Sequence, residues 1–282
     1  MKLSYSTWGM QKTPTDIAVQ HCAALGFDGL ELTVIPGWPA DAAMLSTSER
    51  RRIRSLYDDS GIELCGMSGN VPLLLDDRAE ADANEARFRT YLDFAAEMQR
   101  PGERMIVTTT SGGGPADWEP RKQELVERVG RLAGYADRAG VMIGIEPHVG
   151  AALRLPADVV WLVEEVGSPG LTIHFDISHF NVQGIPMEES VAMIAPLSQH
   201  THIKDERGVE PDFAFLIPGE GDMDYVRYLN LMRDVGYDGH IVVEISLMVQ
   251  ARPDYDALAA ATQTYEVLSQ AFESAGIERS RA

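Results

Sequence analysis

Residues 171–179 read LTIHFDISH. The opening run is apolar or β-branched apart from His174, the pattern of a strand buried on both faces. It ends in Asp176, and His179 follows three residues later. A carboxylate at the mouth of a buried strand is costly unless a cation or a hydrogen-bond donor meets it. The same arrangement, an apolar strand running into a residue able to bind a cation, recurs at 141–146 (VMIGIE), 199–204 (QHTHIK) and 240–245 (HIVVEI).

Working outward, four further strand candidates precede these: 2–6 (KLSYS), 29–34 (GLELTV), 62–67 (IELCGM) and 105–110 (MIVTTT). Most gaps hold one amphipathic helix. Thr13 and Pro14 read as the N-cap and first residue of a helix whose inward stripe is Ile17, His21 and Ala24, stopped by Gly26. Further helices are expected at 46–60, 80–100, 119–139, 156–166, 187–194, 223–235 and 255–274. A long loop is expected over 205–221, and residues 276–282 should fray. Eight βα units without a linker or composition break favour one closed α/β domain over 1–282, a single (β/α)8 TIM barrel. A doubly wound dinucleotide-binding sheet wants GxGxxG directly after the first strand, where STWGMQ stands instead.

The chain has 282 residues, 43 acids and 24 Lys and Arg, for a formal charge of −19. Such a surface repels nucleic-acid backbones and anionic lipid, so neither partner is expected. The densest basic run, Arg50, Arg51, Arg52 and Arg54, reads as a solvated helix face. Two cysteines without CxxC spacing argue against a disulfide framework. With no apolar leader in MKLSYSTWGM and no long apolar run, a cytoplasmic protein is the expectation.

In such a barrel the chemistry lies at the C-terminal strand ends. Four successive strands end in Glu146, Asp176, His202 and Glu244. Three carboxylates and an imidazole, with no thiolate, suit one divalent ion such as Mn²⁺, Mg²⁺, Co²⁺ or Zn²⁺. Any one acid at a strand end is most simply an N-cap or an ion-pair partner; four ligand-type residues in sequence are hard to read that way. His200 and His174 lie two residues deeper on the faces of His202 and Asp176, and read as packed interior histidines. His21 and His240 read as helix-surface and strand-start residues. Trp8, Trp38, Phe180 and Trp118 are placed in rim loops, with Trp8 the best candidate for a wall on which a substrate stacks. The 205–221 loop, with Phe213 and Phe215, reads as either a lid or a subunit contact.

The order EPH (146–148), FDISH (175–179), HIKD (202–205) and VVEIS (242–246), with GLEL at 29–32 and PGEGD at 218–222, resembles the xylose isomerase-like TIM-barrel superfamily. Within it the chain is similar to the sugar phosphate isomerase/epimerase group, which includes ketose 3-epimerases, hydroxypyruvate isomerases and inosose dehydratases. The resemblance implies that Glu146, Asp176, His202 and Glu244 hold a metal and that Glu146 and Glu244 exchange protons with the substrate. It further implies substrate contacts from His148 and His179. Lys204 faces the same side as His202, where it would either hold a substrate oxygen or pair with a rim acid. Arg207 is a counterpart of an arginine that the ketose 3-epimerases carry after the strand-seven histidine, one residue out of step. Those epimerases also carry a glutamate at the position of Ala152.

The expected activity is divalent-metal-dependent isomerisation or epimerisation of a small sugar or keto-sugar, through a metal-bound enediolate and two glutamates. The rival is a metal-dependent lyase or dehydratase acting on a keto-sugar or keto-inositol. The superfamily's apurinic-site endonucleases need a basic DNA-binding face that a −19 chain lacks. The expected partner is a small carbohydrate, and a homo-oligomer, dimer or tetramer, is left open.

Overall fold

The computed structural model describes residues 1–280. Ten strands run in chain order: β1 (Lys2–Ser6), β2 (Gly29–Thr33), β3 (Glu63–Ser68), β4 (Ile106–Thr110), β5 (Met142–Glu146), β6 (Leu171–Asp176), β7 (Ser198–Ile203), β8 (Asp205–Val209), β9 (Asp212–Leu216) and β10 (His240–Val243). Helices are α1 (Thr15–Leu25), α2 (Thr47–Ser60), α3 (Arg78–Met98), α4 (Trp118–Ala139), α5 (Pro156–Val166), α6 (Ile177–Asn181), α7 (Met187–Ile194), α8 (Tyr225–Asp234), α9 (Leu247–Gln250) and α10 (Ala257–Ser274). Eight of the strands close a parallel barrel in the order β1-β10-β7-β6-β5-β4-β3-β2, and β8 and β9 form a separate antiparallel hairpin. The fold is the expected (β/α)8 barrel.

Strand alternation divides the apolar from the polar. Leu3, Tyr5, Leu30, Leu32, Ile143, Ile145, Ile173, Phe175, Ile241 and Val243 join helix residues such as Val19, Leu92, Leu125 and Leu162 in one hydrophobic cluster, so the core is the layer between barrel and helices. The intervening strand positions hold the buried polar residues Ser4, Ser6, Glu31, His174, His200 and His202. Glycines make room for the imidazoles. A Cβ on Gly66 would stand 2.6 Å from His200 Nε2, one on Gly29 2.8 Å from His240 Nδ1, and one on Gly144 3.4 Å from His174 Cβ.

Several expectations are corrected. The buried face of α1 is Thr15, Ala18, Val19 and Cys22, while Ile17 is exposed. Its small residues let the helix approach the barrel closely, and the larger Ile17 misdirected the reading. Pro14, not Thr13, is the N-cap. The 205–221 segment is not a plain loop but contains the β8–β9 hairpin. Phe180 and Trp118 are not rim-loop residues: Phe180 lies in α6, fully buried against Phe175, and Trp118 opens α4 and packs edge-on against Trp161. The end of the described chain is tied down. Ser280 N–H donates to the Met1 carbonyl at 3.2 Å, and Arg279 donates to the Gly26 carbonyl at 3.1 Å. Residues 281–282 of the expected frayed tail lie outside the described residues. No helix among the described residues is long and apolar enough to cross a membrane.

Candidate active site

Register places the acids. Parallel pairing sets Asp176 beside His202 and Val242 beside His202, and Glu146 closes β5 opposite Thr110. Glu244 lies one residue past β10, and its N–H continues the ladder to the Ile203 carbonyl at 3.1 Å. In the barrel order, β5 and β10 are separated by β6 and β7, so Glu146 and Glu244 approach the axis from different sides. Glu146, Asp176, His202 and Glu244 are all buried.

The donors converge in three overlapping groups, one of them the interior histidines His174, His200 and His202. Glu146, His202 and Glu244 each offer a ligand atom within 4.8 Å of the others, as do Glu146, Asp176 and His179. Glu146 Oε1 is buried without a hydrogen-bond partner. His202 Nδ1 lies 3.0 Å from Glu244 Oε2, close enough for charge attraction but not aligned as a hydrogen bond. Buried carboxylate oxygens and imidazole nitrogens converging in this way fit a divalent cation.

Two neighbours complete this cluster, and only the first went unassigned in the sequence. Glu31, fully buried on β2, stands beneath His202, with both carboxylate oxygens 3.1 Å from Nε2. It also accepts the Ser6 hydroxyl at 2.5 Å and lies 3.3 Å from His200 Nε2. A lone acid inside the apolar run GLELTV was the available signal. Below it, His200 and His174 bond to one another through their Nδ1 atoms at 2.9 Å, the interior packing expected of both.

Lys204 is the other. Its buried ammonium donates to Asp176 Oδ2 and lies 3.1 Å from Glu244 Oε1 and 3.5 Å from His179 Nε2. Phe215 of the hairpin covers it, with Nζ 5.4 Å from the ring centroid, and packs edge-on against His179 at 5.2 Å. The hairpin therefore walls one side of the site. Asp205 fixes its return by accepting the N–H groups of Gly219, Gly221 and Met223 at 2.7, 2.9 and 3.1 Å.

The charges are strongly displaced from their ordinary values. Burial pushes Glu146 up to about 8, against the pull of Lys204 and with Glu244 and Asp176 adding to the rise. Burial acts the same way on Glu244 and Asp176, but Lys204 and His202 outweigh it and hold both below the usual carboxylate range. Burial opposes charge on His202, yet Glu31 and Glu244 raise it to about 10. His179 is held well below its usual value by burial and by His148. The two glutamates are thus pushed in opposite directions, Glu146 up and Glu244 down.

The remaining expected site residues fall in two sets. His148 and His179 stand together at the rim, ring centroids 3.8 Å apart, with His148 Nδ1 2.6 Å from the Val149 carbonyl. Trp8 follows β1 in the helical turn Thr7–Met10 and stacks on Trp38 at 4.7 Å. Arg207 is not brought to this cluster. It donates to the Glu220 carbonyl at 2.6 Å and approaches Asp222 at 3.5 Å, with 60% of its side chain exposed. Alternation along β8 explains this, since Glu206 is paired with Phe215 and buried, which turns the next residue outward.

With this geometry in hand, similarity to known proteins is informative. The family model described as "Xylose isomerase-like TIM barrel" matches residues 19–267. Fructoselysine 3-epimerase of Escherichia coli O157:H7 is 25% identical over 262 residues, covering 90% of this chain and 93% of that protein. Inosose dehydratase of Geobacillus kaustophilus is 22% identical over 259 residues, covering 81% and 79%. The crystal structure of the IOLI protein with a binding zinc atom superposes with a TM-score of 0.80 over 97% of this chain and 99% of that one, at 17% identity, which speaks to the fold alone. The two sequence relatives are thus an epimerase and a dehydratase.

Proposed function

The chain belongs to the xylose isomerase-like TIM-barrel family, and we propose that it is a divalent-metal-dependent epimerase or isomerase of a small sugar or keto-sugar. The observation that carries the reading is the pair of buried glutamates, Glu146 and Glu244, converging from different sides of the barrel on His202. Glu146, His202 and Glu244, together with Asp176, would hold the metal ion. When bound, that ion supplies Lewis acidity to a substrate carbonyl and its neighbouring hydroxyl.

The chain's own groups account for the proton movements. Glu244, ionised, takes the proton from the carbon beside the substrate carbonyl. Glu146, on the other side, passes a proton drawn from solvent to the carbon. Return to the same carbon inverts it, and return to the neighbouring carbon isomerises the sugar. His148 and His179 face substrate hydroxyls, and Trp8 with Trp38 offers an aromatic wall on the far rim. Phe215 excludes water on the hairpin side.

A second reading keeps the same first step and ends in loss of a β-hydroxyl, a dehydration of a keto-inositol. The similarity to inosose dehydratase favours it. Stripping the protein with chelator and assaying ketoses, keto-acids and inososes before and after adding back Mn²⁺, Mg²⁺, Co²⁺ or Zn²⁺ tests the proposal. Activity restored by one of these ions supports it, and full activity in the stripped protein overturns it.

A further inference from the structure

We propose that the Lys204 ammonium is a built-in cation that competes with a divalent ion for Asp176 and Glu244, so that metal loading displaces this side chain. The inference rests on the function proposed above in one respect, that a divalent ion binds among Glu146, His202 and Glu244.

The geometry points to competition because Lys204 already holds the oxygens a metal would need. Nζ donates to Asp176 Oδ2 and stands 3.1 Å from Glu244 Oε1, while Asp176 Oδ1 accepts the Ser178 N–H at 2.9 Å. Both oxygens of Asp176 are therefore engaged by the chain itself. The donor groupings agree. Asp176 falls with Glu146 and His179, and not with the set formed by Glu146, His202 and Glu244. A divalent ion binds carboxylate oxygen at about 2.0–2.6 Å. An oxygen ligated at that distance brings the ion up against an ammonium hydrogen-bonded to the same atom, with like charges in contact.

A path for displacement is also present. Lysine carries its charge on a flexible four-carbon stem. Phe215 presents its ring to Nζ at 5.4 Å, and His179 Nε2 lies 3.5 Å away. An ammonium leaving the carboxylates meets an aromatic face and an imidazole, both favourable to a cation. In the metal-free protein Lys204 compensates Asp176 and Glu244, so the closed barrel need not wait for an ion. Metal then binds with an affinity lowered by the fraction of protein in which Lys204 has moved away.

Calorimetric titration of Mn²⁺ alone into the stripped full-length protein, at one fixed pH, tests this with wild type, Lys204→Met, Lys204→Gln and Lys204→Arg. The Met and Gln variants should bind Mn²⁺ roughly 10- to 100-fold more tightly than wild type, and should melt at lower temperature in chelator. The Arg variant keeps the charge and should bind no more tightly than wild type. Should the Met variant fail to fold, the Gln variant, which can still donate to Asp176, gives the same comparison. Wild type binding Mn²⁺ as tightly as the Met and Gln variants would overturn the competition and leave the metal-dependent function standing. Failure of every form, wild type included, to bind Mn²⁺, or Mg²⁺, Co²⁺ or Zn²⁺ titrated in its place, would overturn that function and the competition with it.

Discussion

His202 Nε2 lies 3.1 Å from both carboxylate oxygens of Glu31, which fixes the ring so that Nδ1 faces Glu244 and the site. A carboxylate behind a metal-directed histidine sets its tautomer and orientation, and losing such a partner commonly lowers metal affinity or activity by about 10- to 100-fold. Glu31→Gln preserves the shape of the side chain and removes the charge. We expect it to weaken Mn²⁺ binding or turnover by that factor while the barrel stays folded, as read by calorimetry and circular dichroism. Unchanged metal affinity and turnover would remove Glu31 from the site's machinery.

The interior histidines depend on Gly66. A Cβ there would meet His200 Nε2 at 2.6 Å and Cδ2 at 2.8 Å. His200 cannot easily yield, because His174 holds it at 2.9 Å and Glu31 lies 3.3 Å away. Gly66→Ala should therefore destabilise the protein by about 1–3 kcal/mol, the usual range for overpacking, as measured by urea unfolding. Wild-type stability in that variant would mean the histidine layer is looser than its distances indicate.

At the opposite end of the barrel, Glu63 accepts from Lys2 at 2.6 and 2.7 Å and from His240 at 3.1 Å. The bond from His240 leads in holding its carboxyl at about 2, against a partial burial that works the other way, with Lys2 assisting. A carboxyl whose value is lower in the folded than in the unfolded chain stabilises the fold above its unfolded value, near 4.5. That contribution fades as the pH falls from there towards 2. The stability difference between wild type and Glu63→Gln should be largest at pH 6 and shrink steadily below 4.5. Thermal melts across that range read it directly, and a difference independent of pH would contradict the assignment.

Much of the architecture was legible because buried strands, glycine stops and proline starts are local signals. The acids at 146, 176 and 244 stood out as a set with His202, since four ligand-type residues at the ends of successive apolar runs are hard to read as caps or ion-pair partners. What stayed hidden depends on contacts distant in sequence. Whether Lys204 meets substrate or Asp176 is decided by the register of β6 against β7 and the reach of its stem, which no spacing reveals. The outward placement of Arg207 follows from a hairpin that the sequence shows only as a loop. Glu31 lay in plain view within GLELTV, yet only barrel closure brings β2 within reach of His202.

Proton exchange at carbon by Glu146 and Glu244 is the central claim, and one measurement addresses it most directly. The Mn²⁺-loaded protein is incubated with ketoses, keto-acids and inososes in D₂O, and the products are followed by NMR. The account predicts solvent deuterium at a carbon beside the carbonyl of the reacting substrate, with the rate of incorporation reduced about 100-fold or more in Glu244→Gln. Conversion of a substrate without deuterium entering from solvent, or incorporation undiminished in Glu244→Gln, would contradict it.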